Sequence, residues 1–309
     1  MDTWYERLTT VDSLFLDLED RTAHMHVGAC AIFEGPPPPF RDVLRLVESR
    51  LSSVPRYRQR VLQVPLKQGR PVWIDETQFD LEYHVRRTAL PAPGGEAELK
   101  KLVGRLFSQQ LDRDKPLWEL WLVEGVGDDR FAIVSKTHHC MLDGVSGVDL
   151  ATVLLDTEPV ATPPDPPAPW TPRKAPPLTE LLVSSIKEQL SHPLKMVRDA
   201  LEPNSEVLKL VGGAAASLKP LLNVFSMGLA PLSPLNQPIG PHRRFEMLEL
   251  PLAEIKEVRA RLGGTVNDVV LAIVAGALRN WLEGREQPPS ADLRVLVPVS
   301  MRGPESHGT

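Results

Sequence analysis

The chain has 309 residues, 42% of them hydrophobic, and a formal net charge of -5, so it is long enough for two hydrophobic cores and lacks the basic surplus of a nucleic-acid-binding protein. Two cysteines, Cys30 and Cys140, are too few for a disulfide framework. The longest apolar runs, such as VVLAIVAGAL at 269–278, fall short of the roughly 18–20 residues that span a bilayer.

The opening MDTWYERLTTVD carries acidic residues where a secretory signal has basic and then apolar ones, which points to a cytoplasmic, reduced protein. MHVGACAIFE at 25–34 reads as a strand closed by GPPPP, whose prolines cannot donate to a ladder. FRDVLRLVESRLS at 40–52 predicts a helix, with Val43, Leu44, Val47 and Leu51 on one face. Strands are expected at 57–64, 71–75 and 81–88, then a helix in EAELKKLVGRLFSQQL with its stripe at Leu99, Leu102, Val103, Leu106 and Phe107. PLWELWLVEGV and RFAIVSKTH read as two buried strands joined by a turn at Gly127.

These elements make a mixed α/β lobe over residues 1–156. Nine of the 21 residues from Thr157 to Pro177 are proline, which removes the amide donors of helix and sheet and predicts an extended linker. Amphipathic stretches interrupted by Gly and Pro fill the rest of 157–241 and fit either an interfacial helix or burial against a lobe. From 242 to 309 the pattern predicts a strand in RRFEMLELPL, a helix in AEIKEVRARL closed by Gly263 and Gly264, a helix in TVNDVVLAIVAGALRNWLEG and a strand in LRVLVPVS. This reads as the start of a second lobe.

The stretch SKTHHCMLDGVSG, residues 135–147, concentrates the chemistry. If the strand keeps its period of two, Phe131, Ile133, Ser135, Thr137 and His139 share one face and Ala132, Val134, Lys136 and His138 the other, so only one histidine points into a given cleft. A histidine at a strand-to-helix junction suits general-base work near neutral pH. A metal site would draw on His138, His139 and Asp143, with His24 or His26. Neighbours facing opposite ways chelate poorly, and no HExxH or CxxC supplies a second half, so no metal is expected. A nucleophile would be Cys140 or Ser146, but GVSG is not the GxSxG elbow.

HHCMLDG resembles the HHxxxDG signature shared by CoA-dependent acyltransferases and peptide-synthetase condensation domains. PLW at Pro116, Leu117 and Trp118, ND at Asn267 and Asp268, PVSMR at 298–302 and HMHVGACAIFEG near the start are similar, in order and spacing, to the bacterial wax ester synthase/diacylglycerol acyltransferase family. The resemblance implies two chloramphenicol-acetyltransferase-like lobes forming a pseudo-dimer with a central tunnel. It implies acyl transfer from acyl-CoA to diacylglycerol or a long-chain alcohol, with His139 as base, no covalent enzyme intermediate and no cofactor beyond acyl-CoA as co-substrate. His138 then supports the loop or lines the opposite face. Asp143 pairs with an arginine, for which Arg302 is the candidate, and Gly144 allows close backbone approach. Pro116, Leu117, Trp118 and Asn267 are the candidate substrate contacts, and Trp118 also reads as ordinary core. Thr265 with Asp268 reads as a helix capping box.

Eight basic residues between Arg41 and Arg70 form a solvated face or a patch for CoA phosphates and anionic lipid. A lipid acceptor implies a cytoplasmic protein able to rest on the inner membrane or on lipid droplets. The chain stops soon after PVSMR, whereas the family continues, so the second lobe reads as truncated or cleaved, with its remaining segment as a partner. Two further readings stay open: a condensation-type enzyme taking the acyl group from a carrier protein, and a noncatalytic lipid-binding relative.

Overall fold

The computed structural model describes residues 4–127, 129–142, 154–155, 169–187, 234–235, 237–285 and 293. The chain divides into two compact units, Met1–Leu201 with Ile239–Met247, and Glu202–Pro238 with Leu248–Thr309. The first unit is mixed α/β. In order it runs β1 (Glu6–Arg7), α1 (Thr10–Leu18), β2 (His26–Glu34), α2 (Phe40–Arg50), β3 (Gln59–Leu62), β4 (Val72–Asp75), α3 (Leu81–His84), β5 (Val85–Ala89), α4 (Glu96–Phe107), β6 (Trp118–Gly127) and β7 (Arg130–His138).

A four-stranded sheet in the order β2-β7-β6-β5 is the frame, and a three-stranded sheet β1-β4-β3 stands apart from it. β7 pairs antiparallel with both β2 and β6, while β6 pairs parallel with β5. Alternation along β6 and β7 divides the core between the two sheet faces. Trp118, Leu120 and Leu122, with Phe131 and Ile133, join Leu16, Val43, Val47 and Leu51 on one side. Val123, Ala132 and Val134 pack with Leu99, Leu102, Val103 and Leu106 of α4 on the other. A helix can lie this close to β2 because Gly28 has no side chain: a Cβ there would sit 2.4 Å from the Phe107 ring.

Several expectations change. The stretch 57–64 begins with a 3-10 turn, Pro55–Arg58, before β3. The stretch 81–88 begins with the helical turn α3, because the Asp80 carboxylate accepts from the Glu82 amide at 3.0 Å and so satisfies an otherwise orphaned donor. RRFEMLELPL is not a strand. Its apolar alternation is real, but Phe245 and Met247 use it to pack on the α4 face of the sheet, and the Arg243 amide donates to Ser108 Oγ at 2.7 Å. The chain approaches α4 here over Gly104, where a Cβ would meet the Arg243 carbonyl oxygen at 2.8 Å. The helix α1 was not foreseen.

The described part of the proline-rich stretch, 169–177, has neither helix nor strand, and Arg173 fastens it to Asp75 through Nε at 2.9 Å and its amide at 3.0 Å. Residues 178–187 are helical, and Leu181 is buried with Tyr5, Val72 and Ile74, so this part of the amphipathic region packs on protein. In the second unit, helices Leu252–Leu262 and Val266–Glu283 are separated by Gly263 and Gly264, both at positive φ. The capping box forms as expected, with Asp268 N–H donating to Thr265 Oγ1 and Thr265 N–H to the Asp268 carboxylate. The expected final strand, at 293–300, lies outside the described residues apart from Leu293. Among the described residues no single helix is long and apolar enough to cross a membrane.

Candidate active site

The two histidines stand where β7 ends. His138 is its last residue, and His139 opens a 3-10 turn, His139–Met141. Each backbone amide is held by a neighbouring strand's approach: His138 N–H donates to Leu117 O at 2.9 Å on the β6 side, and His139 N–H to Met25 O at 2.8 Å on the β2 side. The HH and PLW stretches are thus brought together by the β6–β7 ladder, while the Met25 carbonyl comes from a residue at φ 47°.

The side chains diverge. His138 lies on the Ala132, Val134 and Lys136 side of the strand and is 1% exposed. Its Nδ1 accepts from the Cys140 amide at 3.1 Å, so the imidazole caps the turn that follows it. His139 leaves the strand and is half-buried. Its ring stacks on Phe15 of α1, with centroids 3.9 Å apart and an interplanar angle of 30°. Its Nδ1 is shielded from solvent and has no hydrogen-bond partner among the described residues.

Behind the pair is a buried polar layer. Glu19, which caps the C-terminus of α1, places its carboxylate oxygens 3.7 Å from His138 Nε2 and 3.9 Å from His26 Nε2. Burial pushes the Glu19 carboxyl up, but His138 and Arg113 outweigh this and hold it below the usual carboxylate range. His26 pairs across the ladder with His138. Burial, reinforced by the nearby Lys136 cation, pushes its imidazole down to about 3, so it is neutral at physiological pH. His24 Nε2 donates to Arg21 O at 3.1 Å. Among the described residues no three His, Cys, Asp or Glu side chains converge as metal ligands. Cys140 is 2% exposed, and burial pushes its thiol well up, the opposite of what a nucleophilic cysteine needs.

The other sequence candidates fare differently. Leu117 and Trp118 are 0% and 1% exposed. Trp118 Nε1 donates to Tyr57 O at 2.8 Å, and its ring stacks on His84 with centroids 4.7 Å apart, so its side chain is spent in the core. Leu117 and Arg113 also line a cavity of about 450 Å³ with Leu16, Val61 and Leu62. This lies within the ~300–1,000 Å³ of small-molecule pockets. Asn267 is exposed at the second position of its helix in the other unit. Asp143, Gly144 and Arg302 lie outside the described residues. Of the basic run, Arg56 pairs with Glu6, Arg60 with Glu76 and Arg45 with Asp42.

Phe15, Glu19 and Arg113 escaped the sequence reading. The available signal was Thr9, whose hydroxyl accepts from the Asp12 amide at 3.0 Å. A Thr-x-x-Asp start ahead of Leu14, Phe15, Leu16 and Leu18 marks a helix.

The model of the wax ester synthase/diacylglycerol acyltransferase catalytic domain matches residues 8–270. The chain is 35% identical, over 308 residues, to the probable diacylglycerol O-acyltransferase tgs1 of Mycobacterium tuberculosis, covering 96% of this chain and 62% of the relative. It is 37% identical over 265 residues to tgs3 of the same organism, covering 82% and 96%. A wax ester synthase/diacylglycerol acyltransferase from Marinobacter aquaeolei VT8 matches in structure with a TM-score of 0.60 at 32% identity, over 92% of this chain and 62% of that one. The chain therefore spans about three fifths of the length of tgs1.

Proposed function

Because the chain belongs to the wax ester synthase/diacylglycerol acyltransferase family, we propose that it carries the acyl-transfer centre of an enzyme that esterifies diacylglycerol or a long-chain alcohol with the acyl group of acyl-CoA. His139 is the base. The observation that carries this assignment is the divergence of the pair: His138 is consumed by its cap on the Cys140 amide, whereas His139 leaves the ladder, is half-buried and is steadied by Phe15.

With Nδ1 shut away, Nε2 is the nitrogen left to act. It takes the proton of the acceptor hydroxyl as that oxygen bonds to the thioester carbonyl carbon. The carbon–sulfur bond then breaks, and the CoA thiolate recovers the proton from the imidazolium. A thiolate is a good leaving group because a thiol is a far stronger acid than an alcohol, so no covalent enzyme intermediate is required. Stacking on Phe15 fixes the ring, and holding both reactants at a fixed base lowers the entropic barrier. The apolar lining of the cavity beside Leu16 and Leu117 suits a hydrocarbon chain. Family membership supports the CoA thioester over a carrier-protein donor, and also the two-lobed, tunnel-bearing architecture. A lipid acceptor supports a cytoplasmic site of action at the inner membrane or lipid-droplet surface.

The test is ester formation from labelled palmitoyl-CoA with hexadecanol and, separately, with diacylglycerol, comparing the chain with His139→Ala. Loss of the base is expected to lower kcat by about 10²–10⁴-fold. Equal product from both proteins rejects His139 as the base.

A further inference from the structure

We propose that Glu19, clamped by Arg113, is a positioning residue for acyl transfer: its carboxylate faces the Nε2 proton of His138 and so keeps His138 Nδ1 free to cap the turn that carries His139. The inference rests on His139 being the base.

The Cys140 amide donates to His138 Nδ1 at 3.1 Å, and a ring nitrogen that accepts a hydrogen bond carries no proton. Neutral His138 therefore keeps its proton on Nε2. The group facing that proton is the Glu19 carboxylate, with Oε2 at 3.7 Å and both side chains almost wholly buried; His138 Nε2 has no hydrogen-bond partner among the described residues, so the carboxylate acts on it as a buried charge. The alternative tautomer would aim a proton at the Cys140 amide and a bare nitrogen at a carboxylate. The first mismatch leaves the buried Cys140 amide without its acceptor, at about 1–3 kcal/mol, and the second sets a nitrogen lone pair against the carboxylate charge.

Glu19 is itself fixed. Arg113 Nε donates to Oε2 at 2.6 Å and a terminal nitrogen of the same guanidinium contacts that oxygen too, while the guanidinium also donates to Leu16 O at 2.6 Å. His26 Nε2, 3.9 Å from Oε1, is the remaining neighbour among the described ion pairs of Glu19, and it is neutral near pH 7. One helix thus touches both histidines. Phe15 meets the His139 ring and Glu19, four residues on, meets His138. A proton on His138 Nδ1 in place of Nε2 removes the cap from His139–Met141 and frees the base to shift against Phe15.

The experiment uses the 309-residue chain labelled with ¹⁵N-histidine, with His138 identified by the signals lost in His138→Asn. In the wild type, His138 Nδ1 is expected to resonate as an unprotonated nitrogen and Nε2 as a protonated one. Glu19→Ala is expected to shift both signals toward a tautomer mixture and to lower kcat by roughly 10–100-fold, the scale of a misplaced catalytic group. KM for palmitoyl-CoA and hexadecanol should stay within about twofold. Glu19→Gln, which keeps one acceptor, should restore part of kcat. If Glu19→Ala does not fold, Arg113→Gln on the more exposed partner should move the same signals in the same direction. A proton on Nδ1 in the wild type, or unchanged His138 signals and kcat in the variants, overturns the inference. Absence of ester formation by the wild type instead rejects acyl transfer by this chain, and the ring-nitrogen result still decides whether Glu19 sets the His138 tautomer.

Discussion

Replacing Lys136 with Met tests how the platform behind the histidines is held. Lys136 is 1% exposed, and its ammonium donates to Leu106 O at 3.0 Å and Gln109 O at 2.9 Å, at the carboxyl end of α4. Its third neighbour is Glu119 Oε2 at 3.3 Å. Carbonyls there have no partner within the helix and gather negative charge, so a cation is well placed. Lys136→Met keeps the stem but takes the cation from Gln109 O, from Glu119 and from Leu106 O, which keeps the Gln109 amide at 3.3 Å. Hydrogen bonds to a charged group contribute ~1.5–3 kcal/mol each, and removing one member of a buried ion pair costs about 3–5 kcal/mol. Glu119 keeps Trp121 Nε1 at 3.2 Å and Arg86 at 3.7 Å, which offsets part of the loss, so the expected destabilisation is ~3–4 kcal/mol. Against a domain stability of about 5–15 kcal/mol this is a large fraction. Urea unfolding followed by circular dichroism would show a lower midpoint at an unchanged m-value. Adding Glu119→Gln removes the stranded charge and should recover about 1–2 kcal/mol. A single variant that loses less than about 1 kcal/mol, or a strictly additive double variant, would refute the reasoning.

Acid should weaken the fold through His26 and Glu19 together. The His26 imidazole titrates near 3 in the folded chain and near 6.5 when unfolded, so below about pH 6.5 the unfolded state takes up a proton that the folded state refuses. Stability therefore falls as pH drops from about 6.5 toward 3, by up to ~1.4 kcal/mol per pH unit from this residue. Glu19, lowered in the folded state, adds a loss in the same direction below its ordinary range. Melting temperatures across this window should fall less steeply in His26→Gln, and identical slopes would count against a buried neutral His26. At the α4 face, Gly28→Ala drives a Cβ into the Phe107 ring and should cost about 1–3 kcal/mol. Phe107→Leu in the same chain is expected to return part of that in urea unfolding, and no recovery would mean that the clash is relieved elsewhere.

Much was legible because it follows from rules acting over a few residues. Period two marks β2 and β7 and places His138 with Val134 and Lys136, while His139 is set apart by the 3-10 turn that it opens. Period 3.6 marks α2 and α4, and Thr265 with Asp268 announces the start of a helix. The same period misled at Phe245 and Met247, whose alternation serves packing on α4 and the sheet without a ladder. At 81–84 the Asp80 cap decided for a helical turn over the β-like pattern around it.

What the sequence by itself determined was the strand that delivers the histidines and the family resemblance carried by HHCMLDG, PLW and ND. Only the tertiary structure decided what those histidines touch. Phe15, Glu19 and Arg113 converge on His138 and His139 because the β2-β7-β6 register sets Met25 and Leu117 against the end of β7 and because Arg113 draws α1 onto the turn. It also decided that Trp118 faces Tyr57 and His84 in the core. Such contacts join residues 97 positions apart in Arg113 and Leu16, and farther apart still in Phe15 and His139. Local period, caps and prolines carry no information over that range, since side chains so distant in sequence meet only once strands pair and helices dock on them.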